Sequence, residues 1–264
     1  MRSTDARRTG RRKQAPTDVL GKGRESTVYA VRLETLDASV ACALRVPHRG
    51  TTTSTKPARL AAILRMPPHV SVVAVLGGMH WRGQCVLMLE HIHGRTLQHS
   101  LDACAWPPGD ALAASRQVVC GLAHLHRHGL RHGDVNLNNI LVQGRTCKLT
   151  DYFTESLYGA PAYMAPELVQ GRLCLASDVW SAACVVLALH DKQPFDGVDV
   201  AAVLWKLGNG CPPENIPPSA MADVIQQIFV PADERPSAVQ VLQRLECHPS
   251  SPSTCSSHLR RRLG

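Results

Sequence analysis

Two hydrophobic rhythms divide the chain. Near its start, apolar and β-branched positions fall in the short runs Thr27–Leu33 and Val40–Val46, separated by Leu36-Asp37-Ala38-Ser39. Runs of this kind bounded by turn residues predict strands. Val72–Leu76 and Cys85–Leu89 form a second pair of predicted strands, with a turn at Arg82-Gly83. Between the pairs, Pro57 opens a segment reaching about Met66 in which Leu60, Ile63 and Leu64 recur at helical spacing. Proline suits the first position of a helix, where no backbone donor is lost. From Asp110 onward the period lengthens. Asp110 is an expected N-cap for a helix reaching His126, with Leu112, Val119 and Leu122 on one face. Short strands are predicted at Ile140–Val142 and Cys147–Leu149, and helices at Asp178–His190, Asp199–Leu207, Ala220–Phe229 and Ser237–Leu245. Strands followed by helices predict an α+β fold, and no internal repeat is visible.

At 264 residues and 44% apolar, the chain can bury a substantial core. Its net charge of +8 suggests an anionic partner until it is located. Residues 1–15 contribute +5 and residues 249–264 contribute +3, so residues 16–248 are formally neutral. A basic groove within the fold is therefore not expected, and nucleic acid is an expected partner only through the tails. Both tails lack apolar periodicity and are expected to be disordered. Arg7-Arg8-Thr9-Gly10-Arg11-Arg12-Lys13 fits a nuclear import signal or an electrostatic contact to an anionic partner, but a solvated basic tail is the simpler reading. Ten cysteines show no paired spacing; Cys120, Cys147 and Cys184 lie in apolar runs and read as reduced core residues. The longest apolar run, Ala182–Leu189, is too short to span a bilayer. With no signal-like apolar segment at the start, an intracellular protein, cytoplasmic or nuclear, is expected.

The chemistry lies in His132-Gly133-Asp134-Val135-Asn136-Leu137-Asn138-Asn139 and in Asp151. An Asp, an Asn five positions later and a second Asp seventeen positions after the first suit phosphoryl transfer. The first acid can deprotonate a hydroxyl; the Asn oxygen and second carboxylate can hold Mg²⁺ on phosphates. A lone Asp or Asn is more often a turn or cap residue, but here order and spacing agree across six segments. Leu20-Gly21-Lys22-Gly23 adds a loop whose glycines let backbone amides approach phosphates. His124, His126 and His128, spaced two apart on a helix, point in different directions and do not suggest a metal site.

These segments resemble protein kinases of the serine/threonine type. Gly159-Ala160-Pro161-Ala162-Tyr163-Met164-Ala165-Pro166-Glu167 resembles their peptide-positioning segment. Asp178-Val179-Trp180-Ser181 resembles the start of their central helix, whose Asp holds the catalytic loop, and Arg235 matches the arginine that pairs with Glu167. His-Gly-Asp-Val, Asp-Val-Trp-Ser with Cys184 and Ile216-Pro217-Pro218-Ser219 look most like NF-kappa-B-inducing kinase and its relatives. The resemblance spans about residues 16–246. It implies a two-lobed kinase-like domain over 16–248, with a small β-rich N-lobe (about 16–92) and a larger α-helical C-lobe (about 93–248). It also implies Asp134 as base, and Asn139 and Asp151 as Mg²⁺ ligands. ATP would meet Leu20, Gly21, Lys22, Gly23 and Arg45 at its phosphates, and the backbones of Glu90 and Ile92 with Val28, Ala43 and Leu141 at adenine.

Several positions depart from the family pattern. Arg45 stands for the phosphate-binding lysine, and the glutamate that would brace it falls on Leu60, counting back from His69. Arginine is bulkier and forked, so the exchange is not conservative at a tight site. Gly133 replaces an arginine that reads an activation-segment phosphate, which argues against control through Thr154, Ser156 or Tyr158. Asn136 replaces a lysine, Ser26 a third loop glycine and Phe153 the glycine of Asp-Phe-Gly; Asp151 through Glu167 covers only 17 residues. Two readings follow: a protein kinase of weakened activity using ATP and Mg²⁺ on protein hydroxyls, or a catalytically inactive pseudokinase acting as scaffold or decoy. Both expect protein partners and no membrane.

Overall fold

The structure, a computed structural model, describes residues 18–34, 39–50, 55–153, 159–190, 193–214, 216 and 221–247. Both basic tails, the three candidate phosphorylation positions and Pro217–Ser219 lie outside them. The chain divides into two compact units, with boundaries at Thr51/Thr52, Val75/Leu76 and His91/Ile92.

The smaller unit is one five-stranded sheet of order β1-β2-β3-β5-β4, with strands β1 (Asp18–Lys22), β2 (Ser26–Glu34), β3 (Ser39–Pro47), β4 (Val75–Trp81) and β5 (Gln84–Glu90). β1 has no buried residue, which is why hydrophobic pattern alone does not reveal it. The β4–β5 turn is made by Arg82 and Gly83, both at positive φ, as a two-residue hairpin requires. Ala43, Leu87 and Leu89 are buried on one face of β3 and β5, and Cys42 and Val86 on the other.

The larger unit begins with α1 (Pro57–Arg65), whose proline occupies the first helical turn. Its buried residues are Arg59 and Ile63, while Leu64 is exposed; the expected apolar face is thus rotated toward an arginine. The predicted strand at Val72–Leu76 is also displaced. Val72 makes a single parallel bridge to Leu149, and the regular strand is β4. Next come β6 (Arg95–Thr96), α2 (Leu97–Ala103), capped by Thr96, and α3 (Pro108–Arg127). Pro107 rather than Asp110 is the N-cap of α3; Asp110 lies in its first turn, where a carboxylate still complements the helix dipole. β7 (Ile140–Gln143) and β8 (Thr146–Leu149) join β6 in an antiparallel sheet.

The helices α4 (Pro166–Val169), α5 (Leu175–Leu189), α6 (Val200–Gly208), α7 (Ala222–Gln226) and α8 (Ala238–Cys247) complete the unit. α5 is buried from Ser177 to Leu189, and a helix apolar all round belongs in the middle of a core. Trp180, Cys184, Ala165, Leu168, Val203 and Leu207 pack together on one side of it. Burial pushes the Cys184 thiol far up and that of Cys147 to about 11, so both are inert. Cys120 is only half-buried, a correction to its reading as a core residue; its sulfur lies 3.6 Å from His69 Nε2.

Candidate active site

α3 ends in a left-handed Gly129 (φ 69°), with Leu130 N–H donating to Leu125 C=O, the closing bond of a Schellman motif. The chain is thereby turned into the segment that bears Asp134. Asp178, on α5, fixes that segment from below: its carboxylate accepts from the amides of His132 and Gly133, each at 2.8 Å, and from His126 Nε2 at 2.9 Å. Charge-assisted bonds of this kind are shorter and stronger than neutral ones. The Asp178 contact expected from the sequence is present.

Asp134 is held from both sides. Its Oδ2 accepts from Asn139 Nδ2 at 2.9 Å, and its Oδ1 from Asn136 Nδ2 at 2.8 Å and from Ala160 N–H at 3.3 Å. Asn139 Nδ2 also donates to the Asp134 carbonyl at 2.8 Å. With that nitrogen committed, the Asn139 amide oxygen is the atom left to act as a ligand. Asn136, which departs from the kinase lysine, thus still touches Asp134 but brings no charge.

Asn139 and Asp151 leave the same end of the β7–β8 hairpin, and Thr150 N–H donates to Asn139 C=O at 2.9 Å. Asp151 takes φ 63°, a left-handed conformation that Asp visits more readily than most residues. The carboxylates of Asp178, Asp134 and Asp151 all surround His132 and favour its cation. Complete burial outweighs them and pushes the imidazole below its usual range. A neutral His132 therefore sits among three acids. The structure brings Asp134, Asn139 and Asp151 into one neighbourhood.

Among the described residues, no cluster of three His, Cys, Asp or Glu side chains could hold a metal. That does not bear on Mg²⁺, which is held in phosphate sites by one or two protein oxygens together with waters and phosphates. The donor set of Asn139 and Asp151 fits it.

In the smaller unit the register puts Gly21 opposite Val28 and Val28 opposite Arg45, with Ala43 two residues along β3. Residues so related share one face of a sheet. Gly21, Val28, Ala43 and Arg45 are therefore on one face, and Arg45 is buried. Leu20 falls at the register shift of β1, exposed; Lys22 and Gly23, also exposed, start the hairpin turn closed by Gly23 N–H on Ser26 C=O at 2.9 Å. Glu90 ends β5 opposite Cys42. In the larger unit, Ile92 C=O accepts from Gly94 N–H at 3.0 Å, and Leu141 lies in β7 between Thr96 and Lys148.

The segment from Gly159 to Glu167 is anchored by the Glu167–Arg235 pair expected from the sequence. Arg235 Nη1 donates to Glu167 Oε1 at 2.6 Å, and Ser177 Oγ donates to the same oxygen at 2.8 Å. Burial alone would raise the Glu167 carboxyl, but the Arg235 and Ser177 hydrogen bonds hold it below the ordinary carboxylate range. Ser181 Oγ donates to Tyr163 C=O at 2.7 Å, fixing the middle of the segment.

Two features escaped sequence reasoning. Tyr152 and Phe153 are wholly buried, their ring centroids 4.6 Å apart and their planes tilted by 46°, with Tyr152 Oη donating to Val73 C=O at 2.9 Å. Arg59 is buried against the candidate site. Its signal was present: Arg59 and Ile63 are four apart and share a helix face, and no Asp or Glu occurs between Asp37 and Glu90.

Among curated proteins, the chain is 32% identical over 190 residues to a "Probable serine/threonine-protein kinase" of Encephalitozoon cuniculi, covering 67% of this chain and 35% of that protein. It is 28% identical over 211 residues to the serine/threonine-protein kinase STE11 of Saccharomyces cerevisiae, covering 70% of this chain and 29% of that protein. With the mitogen-activated protein kinase kinase kinase mkh1 of Cytospora mali it shares 29% identity over 204 residues, 66% of this chain and 11% of that protein. The chain thus spans about a third or less of the length of these relatives. The family model described as the protein kinase domain matches residues 15–245. With a five-stranded sheet, an α-helical unit and the anchored Asp134 loop in the same order, the chain belongs to the protein kinase domain family.

Proposed function

We propose that this chain is a serine/threonine protein kinase of weakened activity, with residues 16–248 as its catalytic domain. The observation behind this reading is the Asp134 carboxylate, held by Asn139, Asn136 and Ala160 on a loop fixed by Asp178. In this reading Asp134 accepts the proton of a protein hydroxyl. Asn139 and Asp151 hold Mg²⁺, which when bound neutralises phosphate charge. The Gly21–Gly23 amides, with Leu20 and Lys22, cover the phosphates, and buried Arg45 supplies their countercharge. Glu90 and Ile92 offer backbone groups to adenine beside Val28, Ala43 and Leu141. Two of the three relatives are named as serine/threonine kinases and the third as a kinase of a kinase kinase, so a folded protein with exposed Ser or Thr is the substrate to try. An intracellular site of action goes with ATP as donor.

One observation favours the second reading, an inactive scaffold or decoy. Without an acid between Asp37 and Glu90, α1 has no carboxylate to pair with Arg45. Radiolabelled ATP offered with generic protein substrates separates the two. Asp134→Asn is expected to lower label transfer about 10²–10⁴-fold, the range for a general base, and Arg45→Lys to raise it. No transfer above background by the wild type, unchanged by either substitution, would establish the scaffold.

A further inference from the structure

Arg59 is nine-tenths buried on α1, and it is a cation on a helix that has no acid. Its Nη2 donates both to the carbonyl of Arg131 and, at 2.5 Å, to the carbonyl of Tyr152. The first carbonyl precedes His132 and so begins the loop bearing Asp134. The second immediately follows Asp151. One guanidinium nitrogen therefore ties together the two backbone segments whose side chains are the candidate base and metal ligand. It does so from a helix with only one other buried residue, Ile63. Where a helix glutamate would act through an ion pair, this helix acts through charge-assisted bonds to main-chain oxygens. The Tyr152 carbonyl matters because Asp151 is left-handed (φ 63°), and such a conformation persists only where its surroundings hold it.

We infer that Arg59 is a positioning residue that couples α1 to the metal-binding and catalytic segments by clamping the Arg131 and Tyr152 carbonyls. The inference rests on the kinase reading for its consequence in catalysis, though not for the clamp itself. Loss of the clamp frees Asp151 to leave its left-handed conformation, so the Mg²⁺ requirement rises before the affinity for protein substrate changes.

The test compares wild type with Arg59→Met, which keeps the stem and removes the donors, and Arg59→Lys. Because a single nitrogen makes both bonds, the lysine ammonium can take its place. Backbone hydrogen exchange is followed across residues 131–134 and 150–153, with α5 as internal reference. Mg²⁺ is titrated in both fluorescent-ATP binding and label transfer. Arg59→Met is expected to speed exchange at least about tenfold in both segments and leave α5 unchanged. It should also raise the Mg²⁺ needed for half-maximal transfer about fivefold or more at constant KM for protein substrate; Arg59→Lys restores most of both. Wild-type exchange in Arg59→Met overturns the clamp. If the wild type neither binds nucleotide nor transfers label, the kinase reading fails and the exchange data still decide the clamp. If Arg59→Met does not fold, Arg59→Lys decides it: near-wild-type exchange supports the clamp, and exchange sped tenfold or loss of folding overturns it.

Discussion

At Gly133 the chain departs from the kinase pattern without losing loop geometry. The residue has φ 86°, where a Cβ costs roughly 1–2 kcal/mol. Glycine thus relieves strain that a larger residue would store, while its amide remains fixed on Asp178 at 2.8 Å. The side chain that reads a phosphate is gone, but the loop that presents Asp134 is kept. Gly133→Ala should therefore lower stability by about 1 kcal/mol, measured by urea unfolding. An unchanged midpoint would show that the loop relaxes out of the left-handed region at no cost. Asn136 makes a similar point. It keeps a 2.8 Å contact with Asp134 but cannot offset charge on a transferred phosphoryl group, which is one physical reason to expect slow turnover.

Between elements, the tie from α4 to the segment before α8 is the Glu167–Arg235 pair, both side chains nearly inaccessible. Arg235 also donates to the carbonyls of Ile228, Ala176 and Val230 and lies 5.0 Å over the Trp180 ring. Removing one partner of a buried pair leaves a charge uncompensated and costs about 3–5 kcal/mol. Arg235→Met should lose that much at neutral pH, read as a drop in urea midpoint. The sign with pH follows from Glu167, whose folded pKa lies below its ordinary value. Its pairing stabilises the fold above the unfolded pKa and is lost as pH falls through the folded one. In Arg235→Met the bare carboxyl can instead take up a proton, so the gap between variant and wild type should shrink from pH 7.5 to pH 4.5. A gap constant with pH would assign the loss to packing on Trp180. Elements of this kind were legible in sequence because motif and burial coincide: α5, β3 and β7 are mostly apolar, and the Asp134, Asp178, Glu167 and Arg235 positions follow the family order. What was not legible depends on side chains used against their type. β1 is exposed throughout, α2 is short, and α1 buries an arginine, so apolar periodicity misassigned its face. The grouping of Asp134, Asn139 and Asp151 was readable as spacing, whereas the Arg59 contacts depend on helix rotation, which spacing does not determine.

For the molecule as a whole, charge is segregated. The entire +8 resides in residues 1–15 and 249–264, and the stretch between them balances to zero. The most deeply buried helix, α5, is mostly apolar, and none of the helices among the described residues is long and apolar enough to cross a membrane. Attraction to anionic surfaces should then belong to the tails and not to a groove in the domain. Binding that arises from counterion release weakens linearly in log K with log salt, with a slope set by the number of phosphates neutralised. The full chain should bind a DNA duplex weakly and with steep salt dependence at low ionic strength. Deleting residues 1–15, which removes +5, should flatten the slope by about four to five units on the B-DNA scale and leave kinase assays unchanged. Fluorescence anisotropy at several salt concentrations measures that slope. An unaltered slope in the truncated chain would place the attraction in residues 249–264 or in cations of the folded part that formal neutrality conceals.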